Sequence, residues 1–328
     1  MPAILMTLLL ILALAAVPAA PAATVTAFAA GDIAECGSLD PAASAAAATA
    51  HRVPDGAPVF MLGDAAYPHA DAATLAHCYA PTWGRLRATT YAVPGNHDYV
   101  GGTARDFLGY FGERTKGRTY FRAAVGDWWV IGLDSNLDAR RLARQQAWLE
   151  RELAAIAGDG RCIVALWHHA LFSTGLHRGD GARMQPAWVA LDAAGADLVL
   201  SGHEHFYESF EPQDAAGAPR ADGIREFVVG TGGAGLRDLS LSSRHRAFAR
   251  EHGVLELELE RDRYHWTFRN VDGDVRDHGE APCRRATQSA ARSDAASRAT
   301  TASTRDGSAG RSASTASAPR AAGTITTR

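Results

Sequence analysis

The chain has 328 residues, of which 47% are hydrophobic and 21% are charged, and its formal net charge is −3. This composition is typical of a globular protein with one large domain or two small ones. The near-neutral charge argues against nucleic acid as the main partner, because nucleic acids bind strongly basic surfaces.

The first 23 residues have the pattern of a secretory signal peptide. Residues 6–17 form an apolar run of mainly Leu, Ile and Ala, and Ala20 and Ala22 fit an A-x-A cleavage site. No Lys or Arg precedes the run, so the alternative is an uncleaved anchor. However, the run is shorter than the roughly 20 residues that a membrane span needs. We therefore expect a secreted or periplasmic protein, with no transmembrane span once the signal is removed.

From Thr24 onward, apolar runs alternate with helical patterns. Continuous apolar runs are expected for sheet strands that are covered on both faces. Such runs predict strands at residues 25–30, 58–62, 90–93, 163–167 and 198–200. Helices are predicted at residues 41–50 and 145–157. A hairpin at residues 119–122 and 128–133 and late strands at 225–229, 254–259 and 264–268 complete the prediction.

Each of the five continuous runs is followed by side chains that bind metals. The segments are Gly31-Asp32, Gly63-Asp64-Ala65-Ala66-Tyr67, Gly95-Asn96-His97-Asp98, His168-His169 and Gly202-His203-Glu204-His205. Open α/β sheets bind ligands at the carboxyl ends of their strands. Glycine before four of the segments lets the backbone turn sharply. Asp, Asn, His and Tyr without Cys form a ligand set that suits Fe, Mn or Zn ions.

Taken singly, these residues have simpler interpretations. Asp32 or Asp64 alone is more often a helix cap or a turn residue, and His168 with His169 could be core histidines. Taken together, the five segments supply a bridging carboxylate and several further ligands for each of two metals. Two such cations can activate a hydroxide and neutralise phosphate oxygens during ester hydrolysis. The sequence therefore predicts a two-metal hydrolase.

The motifs GD, GDxxY, GNHD, HH and GHxH, in this order, resemble the calcineurin-like metallophosphoesterases. The Tyr three residues after the second Asp resembles the purple acid phosphatase branch. The resemblance covers residues 24–283, the whole part that we expect to fold as a catalytic domain. It implies an α/β fold, a four-layer α/β/β/α sandwich of two mixed sheets with the metal site at the carboxyl ends of the strands.

The resemblance also implies a ligand set for each metal. The first metal would bind Asp32, Tyr67 and His205 and share Asp64 with the second, whose other ligands would be Asn96, His168 and His203. His97 would face the substrate and assist the leaving group.

Three further histidine and alanine positions refine this assignment. His169 is either a substrate contact or a packing residue, and His177 in the polar loop 173–180 is more often solvated than bound to phosphate. Ala34 stands where many family members have a ligand His, and Tyr67 compensates for it. Because a phenolate is a hard anionic donor, we expect Fe(III) at the Tyr67 site and Zn, Fe or Mn at the other.

The expected activity is hydrolysis of phosphate monoesters on small molecules, by direct attack of a metal-bound hydroxide. The alternative is a phosphodiesterase that acts on nucleotides or lipid head groups, because the same centre serves both. The choice would depend on loops such as residues 101–116 and 232–246. A hypothesis of another class is a catalytically inactive binding module, which predicts eroded ligands.

The cysteines and the C-terminus complete the expectations. Four cysteines in an exported chain suggest two disulfides, and we expect Cys36–Cys78 and Cys162–Cys283, with buried free thiols as the alternative. Residues 284–328 are rich in Ala, Ser, Thr, Gly and Arg and lack large apolar side chains. We expect this tail to be disordered, since it cannot bury enough apolar surface to fold.

Overall fold

Thirteen strands and five α-helices are present in a computed structural model that describes residues 24–35, 37, 40–238 and 245–284. The predicted signal peptide, Cys36 and the predicted tail beyond Arg284 lie outside the described residues. The strands are β1 Val25–Ala30, β2 Val59–Met61, β3 Thr90–Ala92, β4 Phe121–Val125, β5 Trp128–Gly132, β6 Cys162–His169, β7 Leu198–Gly202, β8 Tyr207–Ser209, β9 Arg225–Val229, β10 Ala247–Ala249, β11 Gly253–Leu259, β12 Arg263–Asn270 and β13 Val275–Pro282. The helices are α1 Ala45–Ala50, α2 Ala72–Thr74, α3 Arg105–Thr115, α4 Ala139–Ala155 and α5 Gln185–Ala193, with 3₁₀ turns at Pro41–Ala43, Trp83–Thr89 and Asp180–Met184 and a π-helical turn at Leu75–Tyr79.

The strands form two mixed sheets. One has six strands in the order β13-β12-β11-β1-β2-β3, and the other has seven in the order β10-β8-β9-β7-β6-β5-β4. In the first sheet β1, β2 and β3 are parallel, whereas β11, β12 and β13 are antiparallel to their neighbours. In the second, β5, β6, β7 and β9 are parallel. The parallel strands occupy the centre of the second sheet, where both faces are covered.

Apolar side chains from both sheets form the main core between them. Phe60 and Leu62 of the six-stranded sheet belong to the same buried cluster as Val164 and Leu166 of the seven-stranded sheet. A second cluster joins the outer face of the first sheet to α1 and α3, and a third joins the outer face of the other sheet to α4 and α5. The four-layer α/β/β/α sandwich expected from the resemblance is therefore confirmed.

The N-cap residue and the apolar face of helix α4 explain why this segment is helical. Asp138 caps its N-terminus by accepting a hydrogen bond from Arg141 N at 2.9 Å, and Trp148, Leu149 and Leu153 form its buried face. It begins at Ala139, six residues before the predicted start, because its first turns are mostly charged and exposed and give no apolar stripe.

The segment 101–116 was predicted to be a loop, and this was wrong for most of its length. It contains α3, which buries Phe107 and Phe111 four residues apart and ends where Lys116 adopts a left-handed conformation with φ 57°. No helix among the described residues is both long and apolar enough to cross a membrane.

A disulfide fastens the end of the described chain to the second sheet. Cys162, the first residue of β6, is bonded to Cys283, one of the two pairs expected from the sequence. The next residue, Arg284, donates its backbone N–H to Asp197 Oδ1 at 2.6 Å. The other expected pair involves Cys36, which is outside the described residues; Cys78 is buried and is not a free thiol.

We predict that removal of this disulfide in Cys162→Ser/Cys283→Ser lowers the free energy of unfolding by about 2–5 kcal/mol, because a crosslink over a long loop restricts the unfolded chain. The bond closes a separation of 121 residues. Urea denaturation of both proteins without reductant measures the difference. Equal stability would show that the crosslink does not stabilise the fold.

Candidate metal centre

The five ligand segments meet at one edge of the sandwich. The carboxyl ends of β1 and β2 lie beside those of β6 and β7, and hydrogen bonds join the two sheets here. Gly31 N donates to Val229 O at 2.8 Å, and His168 Nδ1 lies 2.8 Å from Leu62 O. The sheet topology therefore brings the five segments together at the strand ends, as predicted.

Three of the predicted ligands have left-handed backbones, which is unusual for residues with a Cβ atom. The φ angles are 58° for Asp32, 53° for Asp64 and 71° for His203. Such conformations cost about 1–3 kcal/mol each and persist where the surrounding structure enforces them. Hydrogen bonds donated by backbone N–H groups provide that constraint. Asp32 N donates to Gly63 O at 2.9 Å, and His203 N donates to Asp32 Oδ2 at 2.8 Å.

The glycines of the segments mostly provide space rather than sharp turns. Only Gly63 among those before the ligands has a positive φ, at 92°. A Cβ on Gly95 would lie 2.1 Å from Asp64 Oδ1, and one on Gly202 would lie 2.7 Å from Asp32 Oδ2. The expectation that glycine allows a sharp backbone turn therefore holds for Gly63. Gly95 and Gly202 are glycine because a carboxylate lies against them.

Four predicted ligands of the first metal form one cluster. Tyr67 Oη lies 2.7 Å from Asp32 Oδ1, 2.9 Å from Asp64 Oδ2 and 3.1 Å from His205 Nε2. His205 Nε2 is also 3.3 Å from Asp32 Oδ1. These four ligand atoms lie close enough together to hold a cation.

The predicted ligands of the second metal form an adjoining cluster that shares Asp64. His168 Nε2 lies 3.3 Å from Asp64 Oδ2, 3.1 Å from Asn96 Oδ1 and 3.2 Å from His203 Nδ1. Because His168 Nδ1 faces Leu62 O, that nitrogen donates to the carbonyl, and Nε2 is the nitrogen directed at Asp64, Asn96 and His203. These atoms lie close enough together that they could share a metal ion.

The electrostatics of the two clusters fit bound cations. Asp32 and Asp64 are 0% and 1% exposed, and their ion-pair partners among the described residues are all histidines. Burial alone would lower the pKa of His168, but Asp64 and Asp32 outweigh it and raise that pKa to about 9. The two carboxylates thus create a strongly negative region that attracts positive charge.

The pKa shifts of two further proposed ligands bear on this assignment. Burial and the proximity of His168 lower the pKa of His203 to about 4, so its imidazole is neutral and free to bind a metal above that pH. Burial, followed by the charges of Asp32 and Asp64, raises the pKa of Tyr67 well above 10. A phenolate at this position therefore requires a strong Lewis acid beside it.

The three other histidines named from the sequence lie around the two clusters. His97 Nδ1 is 2.6 Å from Pro68 O, and its Nε2 is 3.9 Å from Asp64 Oδ2. The His169 ring is 4.4 Å from that of His203, and its Nδ1 lies 2.8 Å from Ser135 Oγ. The His177 ring is 4.9 Å from that of His203. All three therefore border the site.

Asp98 is a supporting residue whose partners could not be read from the sequence. Its carboxylate accepts N–H groups from Asp64, Ala65 and Gly95 at 2.7–3.0 Å. These bonds fix the backbone of Asp64 relative to the Asn96-His97 segment. The only signal in the sequence was its place at the end of the GNHD motif.

Buried glutamates hold the loop that leads from His169 to His177. Glu226 accepts the N–H groups of Leu171 and Phe172, at 3.2 and 3.0 Å. Glu208 accepts the N–H of Thr174 at 3.0 Å, and Glu204 accepts that of His177 at 2.7 Å. Sequence analysis missed these roles, because the contacts join strands and a loop that are distant in the chain.

We predict that Gly95→Ala lowers the metal content, because the new Cβ would displace the Asp64 carboxylate. Metal analysis of the purified variants measures this. The matched control is Gly109→Ala within α3, where a Cβ meets nothing within 4 Å. Equal metal content in the two variants would contradict the prediction.

We predict that Glu226→Gln flattens the pH dependence of stability. Burial raises the pKa of Glu226 from 4.5 to about 8. Between these values the native protein retains a proton that the unfolded chain has lost, so rising pH weakens the fold by up to about 1.4 kcal/mol per unit. Gln does not ionise and therefore removes this contribution.

Urea denaturation between pH 5 and pH 8 tests the effect of Glu226→Gln. The control is Glu113→Gln, at an exposed position of α3, which should leave the wild-type slope unchanged. An identical slope in wild type and Glu226→Gln would show that Glu226 is ionised throughout this range.

Comparisons with known proteins agree with the geometry. A family model for the calcineurin-like phosphoesterases matches residues 28–207, more than half of the chain. No curated protein matches the chain in sequence.

Several solved structures share its fold. The purple acid phosphatase PPD1 from yellow lupin (Lupinus luteus) seeds has a TM-score of 0.59 and 18% identity, with 79% of this chain and 54% of that chain covered. This chain thus spans about half of the lupin protein. GAP50, the anchor in the inner membrane complex of Plasmodium, has a TM-score of 0.58 and 16% identity, with 79% and 89% covered. For PhoD the values are 0.54 and 12%, with 82% and 72% covered.

At these low sequence identities the structural similarity shows only the fold. The family model provides the evidence from sequence. Members of this family use a dinuclear metal centre, and the described residues include groups of His and Asp that could hold metal ions. The chain belongs to the calcineurin-like phosphoesterase family.

Proposed function

We propose that the protein is an exported phosphomonoesterase of the purple acid phosphatase type. The observation that carries this proposal is the position of Tyr67, whose Oη lies within 3 Å of both Asp32 and Asp64. Ala34, where a ligand His is common in the wider family, offers no donor atom. The tyrosine thus takes the place of that histidine in the first cluster, which supports the purple acid phosphatase branch.

The proposed centre has Asp32, Tyr67 and His205 at its first site, Asn96, His168 and His203 at its second, and Asp64 between them. When bound, the two cations would activate water and offset charge on the phosphate oxygens. Six of the seven proposed ligands are buried and only Asn96 is exposed, so most of the centre is shielded from bulk water, which strengthens the field on a bound phosphate.

Fe(III) is the proposed occupant of the first site, with Zn, Fe or Mn at the second. The first site offers the two anionic donors Asp32 and Tyr67 besides the shared carboxylate. The phenol of Tyr67 has a pKa well above 10, so a hard trivalent ion is needed to stabilise the phenolate. The second site offers neutral Asn and His donors, which suit a divalent ion.

His97 is proposed to donate a proton to the leaving group. Its Nδ1 faces the carbonyl of Pro68, which orients the ring and leaves Nε2 directed to the open side of the centre near Asp64. The side chain is 30% exposed, so a substrate can reach it. His169 and His177 border the second site and are proposed as further phosphate contacts.

Export is supported by the disulfide between Cys162 and Cys283, since such bonds persist in oxidising compartments. A binding role without catalysis is less well supported, although one solved neighbour is described as an anchor. An inactive member would be free to lose ligands, whereas every predicted ligand here is brought into the two clusters.

A phosphoester panel with one chromogenic leaving group tests the activity. We expect the purified, metal-loaded protein to hydrolyse the monoester faster than the corresponding diester. Faster diester hydrolysis would favour the phosphodiesterase alternative, and no hydrolysis of either would favour a binding module.

We predict that His97→Ala lowers kcat by about 10²- to 10⁴-fold, the usual contribution of a general acid, and leaves the metal content unchanged. The backbone N–H of His97, which donates to Asp64 Oδ1, is retained in this variant. His51→Ala at an exposed position is the control. Parallel loss of metal and turnover would show that the His97 side chain is structural.

We predict that the iron-loaded protein is coloured and that Tyr67→Phe removes the colour, because the visible band arises from charge transfer between phenolate and Fe(III). Absorption spectroscopy measures this. Tyr99→Phe is the control, since Tyr99 Oη donates to Asp134 Oδ2 at 2.6 Å and should keep the band. A colourless, metal-replete and active wild type would refute the iron assignment.

A further inference from the structure

One histidine of the centre is oriented differently from the others. His168 and His205 each direct Nδ1 to a backbone carbonyl, of Leu62 and Gly235 respectively, at 2.8 and 2.7 Å. His203 instead directs Nε2 to a side-chain carboxylate, that of Asp180, at 3.1 Å. Its Nδ1 is the nitrogen that faces His168 and the second cluster. Asp180 therefore determines which nitrogen of His203 is available to the metal.

The difference in charge between the two clusters indicates what the contact between Asp180 and His203 does. Besides the shared Asp64, the first cluster contains Asp32 and Tyr67, which can supply negative charge, whereas the second contains Asn96, His168 and His203, which cannot. A carboxylate hydrogen-bonded to a ligand histidine increases the basicity of that ligand. Asp180 thus brings negative charge to the second site without occupying a coordination position.

The backbone around Asp180 is fixed by two glycines. Gly179 has a φ of 104°, which a residue with a side chain rarely adopts. A Cβ on Gly181 would lie 2.0 Å from Ala170 O, so the 3₁₀ turn Asp180–Met184 packs tightly against the backbone that follows His169. The side chain of Asp180 is 52% exposed, so its carboxylate remains in contact with solvent.

A second histidine also contacts this carboxylate. His177 Nδ1 lies 3.6 Å from Asp180 Oδ2. The potential ligand atoms of His177, Asp180 and His203 all lie within 4.8 Å of one another, so the trio could in principle hold an ion of its own. His203 Nε2 at 3.1 Å from Asp180 is at hydrogen-bond distance, which instead favours direct contact between the two side chains.

We propose that Asp180 is a positioning residue that holds His203 with Nδ1 toward the second site and increases the affinity of that site for a divalent ion. This inference rests on the proposed two-metal centre. It gives Asp180 no contact with the substrate, and its effect passes through the His203 ring, which is not a ligand of the first site.

The test measures metal binding rather than turnover. The full-length holoprotein is equilibrated against chelator-buffered Zn²⁺ concentrations, and bound metal per chain is counted at each. We expect Asp180→Ala and Asp180→Asn to weaken the second-site affinity by about 10- to 100-fold, the usual effect of losing such a partner, and to leave the first-site affinity unchanged. Asp180→Glu, which retains the carboxylate, should recover part of the loss.

A control separates the role of Asp180 from general effects. Asp222→Asn removes one exposed carboxylate outside the centre and should leave both affinities unchanged.

Three results would overturn the proposal. Unchanged affinities in Asp180→Ala would show that the carboxylate does not support His203, and an equal fall at both sites would show a general structural role. Three ions per wild-type chain, reduced to two in Asp180→Ala, would make the trio a metal site of its own. Fewer than two ions in the wild type would refute the proposed centre itself, which is a failure distinguishable from the others.

Discussion

The burial of two carboxylates, Asp32 and Asp64, is the constraint on which the rest of the site depends. Both lie in left-handed backbone at the ends of parallel strands, and among the described residues neither has a Lys or Arg partner. Buried charge without compensation costs several kcal/mol, so this arrangement is favourable only when positive charge is supplied to it. The surrounding lone pairs of His168, His203 and His205 provide places for that charge. Glycines at positions 95 and 202 exist because the carboxylates lie against them.

Much of this site could be predicted from the sequence, because its ligands follow directly after buried strands. Strands such as β6 and β7 are continuous apolar runs, a pattern that only central, doubly covered strands show. The ends of parallel strands in one sheet must lie at the same edge, so the order of motifs along the chain was enough to predict that they meet. The meeting of the two sheets at that edge came from the family resemblance and could not be derived from the apolar pattern.

Elements and contacts that depend on distant parts of the chain could not be predicted in this way. Strand β13 has few large apolar residues, since it lies at a sheet edge, and α3 contains two glycines and has charged residues on both sides of its two buried phenylalanines. The sequence around Asp180 and Glu226 does not reveal their partners in distant parts of the chain. Asp180 contacts a histidine 23 residues later, and Glu226 accepts N–H groups from a loop more than 50 residues earlier. These residues determine how firmly the ligand-bearing loops are held. The sequence is therefore a good guide to the identity of the ligand residues and a poor guide to the contacts that position them.

The central claim is that Asp64 bridges two metal ions. Anomalous diffraction from crystals of the metal-loaded protein tests it most directly, because it locates ions independently of turnover and colour. The account predicts two peaks about 3.5–4 Å apart, one beside Tyr67 and one beside His168, with the Asp64 carboxylate between them. A single peak in active, metal-saturated protein, or two peaks that do not share Asp64, would contradict it.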